Sequence, residues 1–342
     1  MSRIRMNTLL VIGGSGFFGK SILDAYRRGL LSPWGIKKII VMARNARQVL
    51  ECYPELTHPL QFSSLAKDTA QSELELELLD ADITSCDTFP KADYVIHAAA
   101  STDARKYLEN SHIEKLNIQR GTINFCKLAK ICLKESKILY VSSGAVYGQQ
   151  QNITHDLNEN STLMSIEDLA PNKQDYAAAK RDSEMIMQDF ASAGCRVAIA
   201  RCFAFIGPYL PRDQHFAIGN FISNGLLGKS IVVKADKLVY RSYLFADDLV
   251  MQLMTILSKA SISCPIYNCG SEKPYEIREV GKLVATYFNV DINEIHPDDY
   301  QDKHADYYIP NVQKISEIIG NNFTTLEDAI ELTVRSIKKN GK

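Results

Sequence analysis

The chain has 342 residues, enough for one large core or two coupled ones, and its composition, 46% hydrophobic and 23% charged, is that of an ordinary globular protein. A formal net charge of -1, with no Lys/Arg block, argues against a surface built to track nucleic-acid phosphates. The longest apolar stretch near the N-terminus, Thr8 to Ile12, is too short for a bilayer and has no cleavage pattern behind it, so a cytoplasmic protein with no membrane partner is expected.

Thr8–Ile12 is the first predicted strand. It runs into Gly13-Gly14-Ser15-Gly16-Phe17-Phe18-Gly19, where a helix over Gly16–Arg28 begins. A strand entering a glycine-rich turn that opens a helix is suited to a dinucleotide pyrophosphate. The glycines allow a tight turn and close approach of backbone N–H groups, and the helix points its positive dipole end at the phosphates. Gly13, Gly16, Phe17, Phe18 and Gly19 are therefore cofactor-binding candidates. A glycine triplet alone is weak evidence, because any strand-to-helix turn can be glycine-rich.

Further strands are predicted at Lys38–Ala43, Leu74–Leu79, Tyr94–Ala98, Lys137–Ser142 and Arg196–Cys202, with helices over Ile113–Cys132 and Asp175–Ala193. The stretch Asn45 to Ser72, polar around Cys52-Tyr53-Pro54, reads as a helix plus an irregular connection. Strands alternating with long helices predict a parallel sheet covered on both faces, a doubly wound Rossmann-type α/β domain over residues 1–205. Beyond Cys202, Gly207-Pro208 and Leu210-Pro211 break the rhythm. A smaller substrate-binding region is expected over 206–342, with a stretch around 239–260 returning to the first domain. Its elements are a helix near Phe216–Leu227, strands at Ile231–Val233 and Ile266–Cys269, and helices at Tyr275–Phe288 and Thr325–Lys338.

The eight cysteines form no Cys-x-x-Cys and sit mostly in apolar runs, as reduced core thiols do. The seven histidines show no paired ligand spacing, and no metal is expected. The chemistry lies elsewhere. Ser143 ends the fifth strand, and Tyr176 and Lys180, four apart, share one helical face. Beside a nicotinamide, the Lys180 ammonium would favour the phenolate of Tyr176, and Ser143 would hydrogen-bond the same substrate oxygen. With sixteen tyrosines, one Tyr-x-x-x-Lys is expected by chance, so the weight falls on its place after the fifth strand of a sheet that opens with a dinucleotide turn.

Taken together, these motifs resemble the extended short-chain dehydrogenases/reductases, the epimerase/dehydratase family of nucleotide-sugar enzymes. Similar to that family are the glycine turn, Asp82-Ile83, His97-Ala98-Ala99-Ala100, Asn117, the Ser143/Tyr176/Lys180 set, and Arg241-Ser242-Tyr243 with Asp247 and Asp248 behind it. The resemblance implies that Asp82 and Ile83 contact the adenine and that Ala98 and Ala99 line the nicotinamide ribose. It implies as well that Asn117, Tyr176 and Lys180 hold the cofactor and that Arg241 meets a substrate diphosphate. Bland roles stay open: a turn or cap for Asp82, a surface charge for Arg241, a tying amide for Asn117. The resemblance also implies a homodimer paired through the helices at Ile113–Cys132 and Asp175–Ala193.

At the end of the second strand Ala43 fills the slot where an NAD enzyme offers a carboxylate, and Arg44 follows, which favours NADP(H) over NAD(H) unless Arg44 merely stacks on the adenine. Two departures from the family pattern narrow the reaction. Gly144-Ala145 stands where the family's 4,6-dehydratases carry an Asp-Glu pair, which disfavours elimination. Ala204 stands where many relatives have an asparagine on the diphosphate, leaving Asn220 and Lys303 as substitute donors. The expectation is an NADP(H)-dependent reductase of a nucleoside-diphosphate 4-keto-6-deoxyhexose in surface-polysaccharide (O-antigen) assembly. An epimerase is the alternative, and a non-catalytic NAD(P) sensor a remote one.

Overall fold

The computed structural model describes residues 7–57, 75–100, 104–150, 157–294 and 304–341. The first half alternates strands and helices: β1 (Asn7–Ile12), α1 (Phe17–Arg27), β2 (Ile36–Ala43), α2 (Gln48–Cys52), β3 (Glu75–Asp80), β4 (Tyr94–His97), α3 (Ala104–Cys132), β5 (Lys137–Ser143), α4 (Pro171–Ser192) and β6 (Arg196–Cys202). The expected strands and helices recur with their ends shifted by a few residues. The widest shift is at α3, which starts before Ile113. Asn110 leaves helical geometry there (φ -160, ψ 84). Its Oδ1 accepts from the Ile113 N–H at 3.1 Å and so caps the main body of the helix. Pro171 occupies the first turn of α4, where its missing N–H costs nothing.

The second half contributes β7 (Phe205–Ile206), α5 (Ala217–Leu226), β8 (Ile231–Val233), β9 (Val239–Arg241), β10 (Leu244–Phe245), α6 (Ala246–Ser258), β11 (Ile266–Cys269), β12 (Tyr275–Glu276), α7 (Ile277–Phe288), β13 (Ile292–Glu294), β14 (Asp306–Tyr308), α8 (Gln313–Ile319) and α9 (Leu326–Lys339). The main sheet is seven-stranded and parallel, in the order β11-β6-β5-β4-β1-β2-β3. This is a doubly wound Rossmann-type sheet. Ile266–Cys269, expected among the elements of the smaller region, is instead its edge strand. The reason is topological: α6 supplies the crossover that a strand parallel to β6 requires.

Because side chains alternate across a strand, Leu9 and Val11 enter one layer with α1 and α6, while Leu10 and Ile12 enter the other with α3 and α4. Both faces of the sheet are covered, so its central strands read as nearly continuous apolar runs, whereas the edge strand β3 alternates Glu with Leu. A separate core joins α5, α7 and α9 to β8 and to the aromatic residues Tyr243, Phe245 and Tyr275.

Chain order reverses between β1 and β4, which is where an open α/β sheet leaves a crevice beyond its carboxyl ends. Gly13 turns there with φ +85°, and a Cβ on it would lie 2.7 Å from the Ala98 carbonyl and from Ala99 Cα. Only glycine fits that position.

Candidate active site

A cleft of about 1750 Å³ opens over the carboxyl ends of the parallel strands. It brings together nearly all the residues singled out from the sequence: Gly13, Gly16, Phe17 and Phe18 from the first turn, Arg44, Asp82 and Ile83 beyond β2 and β3, Ala98 and Ala99 after β4, Asn117 from α3, Ser143, Tyr176 and Lys180, and Asn220 and Arg241 from the second half. Gly19 is a correction, since it does not line the cleft. A Cβ there would meet Gly14 Cα at 2.2 Å, so Gly19 lets α1 pack on the turn behind the cavity. Lys303 lies outside the described residues.

At the β2–β3 end, Arg44 is exposed and Asp82 is half-buried. Asp82 Oδ1 accepts from both the backbone N–H and the hydroxyl of Thr84, each at 2.8 Å. The backbone bond foremost, opposed by burial and helped by the hydroxyl bond and the charge of Arg44, holds its carboxyl below the ordinary range. Asp82 therefore closes its own turn and still faces the cleft. The tying amide is Asn124, which donates to the carbonyls of Ile83 and Cys86 at 2.9 and 3.0 Å. Asn117 makes no side-chain hydrogen bond among the described residues.

The centre of the cleft is the end of β5. Ser143 Oγ accepts from the Ala145 N–H at 3.2 Å, capping a short 3-10 turn over Gly144–Tyr147. Lys180, 3% exposed, donates from Nζ to the Val141 carbonyl at 2.9 Å, and its ammonium lies 5.9 Å from the Tyr176 ring centre. One turn further along α4, Glu184 is buried against Arg201 (2.8 Å) and accepts from the Ser142 hydroxyl at 2.5 Å. That pair ties α4 to the ends of β5 and β6, and so fixes the helix face that presents Tyr176 and Lys180. Behind Lys180, His97 is wholly buried against Phe125 and Tyr140. Burial first, and then the neighbouring Lys180 charge, push its imidazole down to about 3, so it is neutral at physiological pH.

Among the cleft residues not singled out from the sequence are Phe203, Asp306 and Tyr308. Tyr308 comes from β14, yet its hydroxyl is 3.3 Å from Ser143 Oγ and 3.4 Å from the Cys202 carbonyl oxygen. Its ring packs on Phe203 with centres 4.7 Å apart. Burial raises the Tyr308 phenol well above its ordinary range, opposed in part by its bond with Ser143, and keeps it protonated. A Cβ built at Gly144 would sit 2.7 Å from the Phe203 ring and 2.8 Å from the Tyr308 hydroxyl. The place where a residue-144 side chain would project is thus already filled. In the second half, Asn220 Nδ2 donates to the Gln214 carbonyl at 2.8 Å, and Arg241 forms an ion pair with Asp306 at 3.0 Å. Arg241 is therefore no isolated surface charge.

The described residues hold no group of three or more His, Cys, Asp or Glu placed around a metal, and no helix among them is long and apolar enough to cross a membrane.

Fold and cleft define a doubly wound α/β protein with a ligand crevice at its topological switch point. Residues 9–270 match the NAD dependent epimerase/dehydratase family, and the chain belongs to that family. It is 25% identical to UDP-glucuronic acid decarboxylase 6 of Arabidopsis thaliana over 321 residues, covering 91% of this chain and 83% of the relative. It is 27% identical to GDP-6-deoxy-D-mannose reductase of Pseudomonas aeruginosa over 293 residues, covering 83% of this chain and 81% of the relative. The crystal structure of a dTDP-glucose 4,6-dehydratase from Streptomyces venezuelae, solved with NAD bound, superposes with a TM-score of 0.75 at 19% identity over 97% of both chains, a likeness of fold.

Proposed function

We propose that this protein is an NADP(H)-dependent reductase of a nucleoside-diphosphate sugar, acting on a keto group of a 4-keto-6-deoxyhexose. The observation that carries the reading is the convergence of Ser143, Tyr176 and Lys180 in the same cleft as the Gly13 turn. The turn at Gly13, packed so closely on Ala98 and Ala99 that a Cβ would collide with their backbone, fits a pyrophosphate approached by backbone N–H groups at the start of α1. A nicotinamide dinucleotide bound along it supplies the hydride. Tyr176 donates its proton to the carbonyl oxygen, so the C=O becomes a CH–OH. The Lys180 charge stabilises the phenolate left behind, and the Ser143 hydroxyl hydrogen-bonds the same oxygen. Two features support reduction over elimination. Gly144 and Ala145 carry no acid or base, and the volume beside Gly144 belongs to Phe203 and Tyr308. GDP-6-deoxy-D-mannose reductase is among the relatives, and three others are named as combining dehydratase, epimerase and reductase activities.

The cofactor preference rests on Arg44, exposed at the end of β2 with Ala43 in the acidic slot. The homodimer reading is supported by Ile123 and Ile131 on α3 and Met185 on α4, which are 55%, 80% and 57% exposed. Sedimentation at micromolar concentration tests it, with a dimer expected.

The deciding assay mixes the purified protein with NADPH or NADH and a panel of nucleotide-linked 4-keto-6-deoxyhexoses, following nicotinamide absorbance and sugar products. Loss of NADPH matched by a reduced sugar is expected, with Arg44→Ala raising the KM for NADPH about tenfold or more and sparing NADH. Isomerised sugar without net cofactor consumption would replace the reductase by an epimerase. Cofactor binding without turnover of any sugar would leave a sensor.

A further inference from the structure

Arg241 lies in the substrate half of the cleft with three of its five N–H donors committed. Nη1 donates to the main-chain carbonyls of Tyr240 and Asp306 at 2.8 and 2.9 Å, and Nη2 donates to the Asp306 carboxylate at 3.0 Å. The Nε hydrogen and the second Nη2 hydrogen make no bond among the described residues. Both side chains of the pair are mostly buried, at 25% and 17% exposure. Burial pushes the Asp306 carboxyl up, but the Arg241 charge and hydrogen bond, helped by Lys173 and Lys237, outweigh it and hold the group ionised. The main chain of Asp306 is pinned independently: its N–H donates to the Leu238 carbonyl at 2.8 Å, and it is in register with Val239 on β9. Its carboxylate can therefore swing off the guanidinium without moving β14, while the two main-chain carbonyls keep Arg241 in place.

We propose that Asp306 is the residue that sets affinity for the diphosphate of the substrate, its carboxylate holding a guanidinium N–H that a phosphate oxygen would otherwise share and lying beside the donors left open to it. This rests on the nucleoside-diphosphate reading above. A guanidinium whose donors are shared with a fixed carboxylate offers a phosphate fewer hydrogen bonds, and the two anions repel at close range. The same carboxylate keeps the arginine paired and oriented while the cleft is empty, which avoids a buried uncompensated charge. Asp306 thus positions the arginine and weakens its grip on the ligand at once.

The test is the binding of UDP, dTDP and GDP, by calorimetry, to the full-length protein and to Asp306→Asn, a near-isosteric change that removes the negative charge and leaves Arg241 two backbone partners. The variant should bind the preferred diphosphate about tenfold more tightly, with a steeper loss of affinity as salt rises. Asp306→Glu, which keeps the charge, should stay near wild type. Asp306→Ser substitutes for the amide variant should that one fail to fold. Equal or weaker binding by the Asn and Ser variants, with wild type binding normally, overturns the inference and leaves the functional reading standing. Binding that appears only once the charge is removed supports it. Absence of binding to any of the three diphosphates by wild type and variants alike overturns the nucleoside-diphosphate reading, and the inference with it.

Discussion

The two halves of the cleft are built differently. On the cofactor side much of the lining sits at or just after the carboxyl ends of strands of one parallel sheet: Gly13 after β1, Arg44 after β2, Ala98 after β4, Ser143 at the end of β5, with Asn117, Tyr176 and Lys180 added by the long helices α3 and α4 that pack on it. On the substrate side the lining comes from short strands and loops far apart in the chain, with Arg241 on β9 held by Asp306 on β14 and Tyr308 reaching Ser143 across 165 positions of sequence. The first half is fixed by a backbone ladder. The second is held by side-chain pairs that a substrate must share or displace. This difference teaches where substitutions should fall hardest.

Chemistry should depend most on the sheet side. Tyr176→Phe removes the proposed proton donor and should lower turnover by about 10²–10⁴-fold while dinucleotide affinity, measured by fluorescence titration, stays within about twofold. A fully active Tyr176→Phe protein would break the comparison at its first point. Next comes the buried pair that anchors α4 to the sheet. Glu184→Leu strands the Arg201 charge and should cost about 3–5 kcal/mol in urea unfolding, much of it recovered by adding Arg201→Met. Little loss in the single variant would mean that the helix is positioned by packing alone.

His97 gives a pH signature of the same scaffold. Its folded value, about 3, lies below the unfolded value of 6.5, so between these two the unfolded chain binds the extra proton. Its contribution is complete above pH 6.5 and is lost as pH falls toward 3, at roughly 1.4 kcal/mol per pH unit. Denaturation of wild type and His97→Leu between pH 7 and pH 4.5 should show a shallower acid slope in the variant. The smallest effect belongs to the substrate side. Tyr308→Phe keeps the ring on Phe203 and loses only the hydroxyl near Ser143, so turnover should drop about fivefold with melting temperature almost unchanged. A loss as large as that of Tyr176→Phe would show that the late-arriving β14 is as central to the chemistry as the sheet.

The cofactor half was readable because its signals are local. A strand, its terminal glycine turn and the helix that follows are contiguous, and Tyr176 and Lys180 meet simply by lying one helical turn apart. The substrate half carried weaker marks. Arg241 stood out by its segment, but nothing near it announced Asp306, and Gly144 read as a missing acid before its space proved to be occupied by Phe203 and Tyr308. Ile266–Cys269 was visible as a strand and misplaced, because four residues do not reveal which sheet edge they join.

The sequence by itself determined the doubly wound sheet, its glycine turn and the Ser143, Tyr176 and Lys180 set, since periodicity and turn chemistry act over a few residues. Only the tertiary structure decided that Asp306 holds Arg241, that Tyr308 faces Ser143, that Gly19 packs rather than lines, and that Glu184 is matched by Arg201. Each of these is a meeting of side chains 17 to 165 residues apart or a filled volume, set by how the layers pack and not by any local pattern.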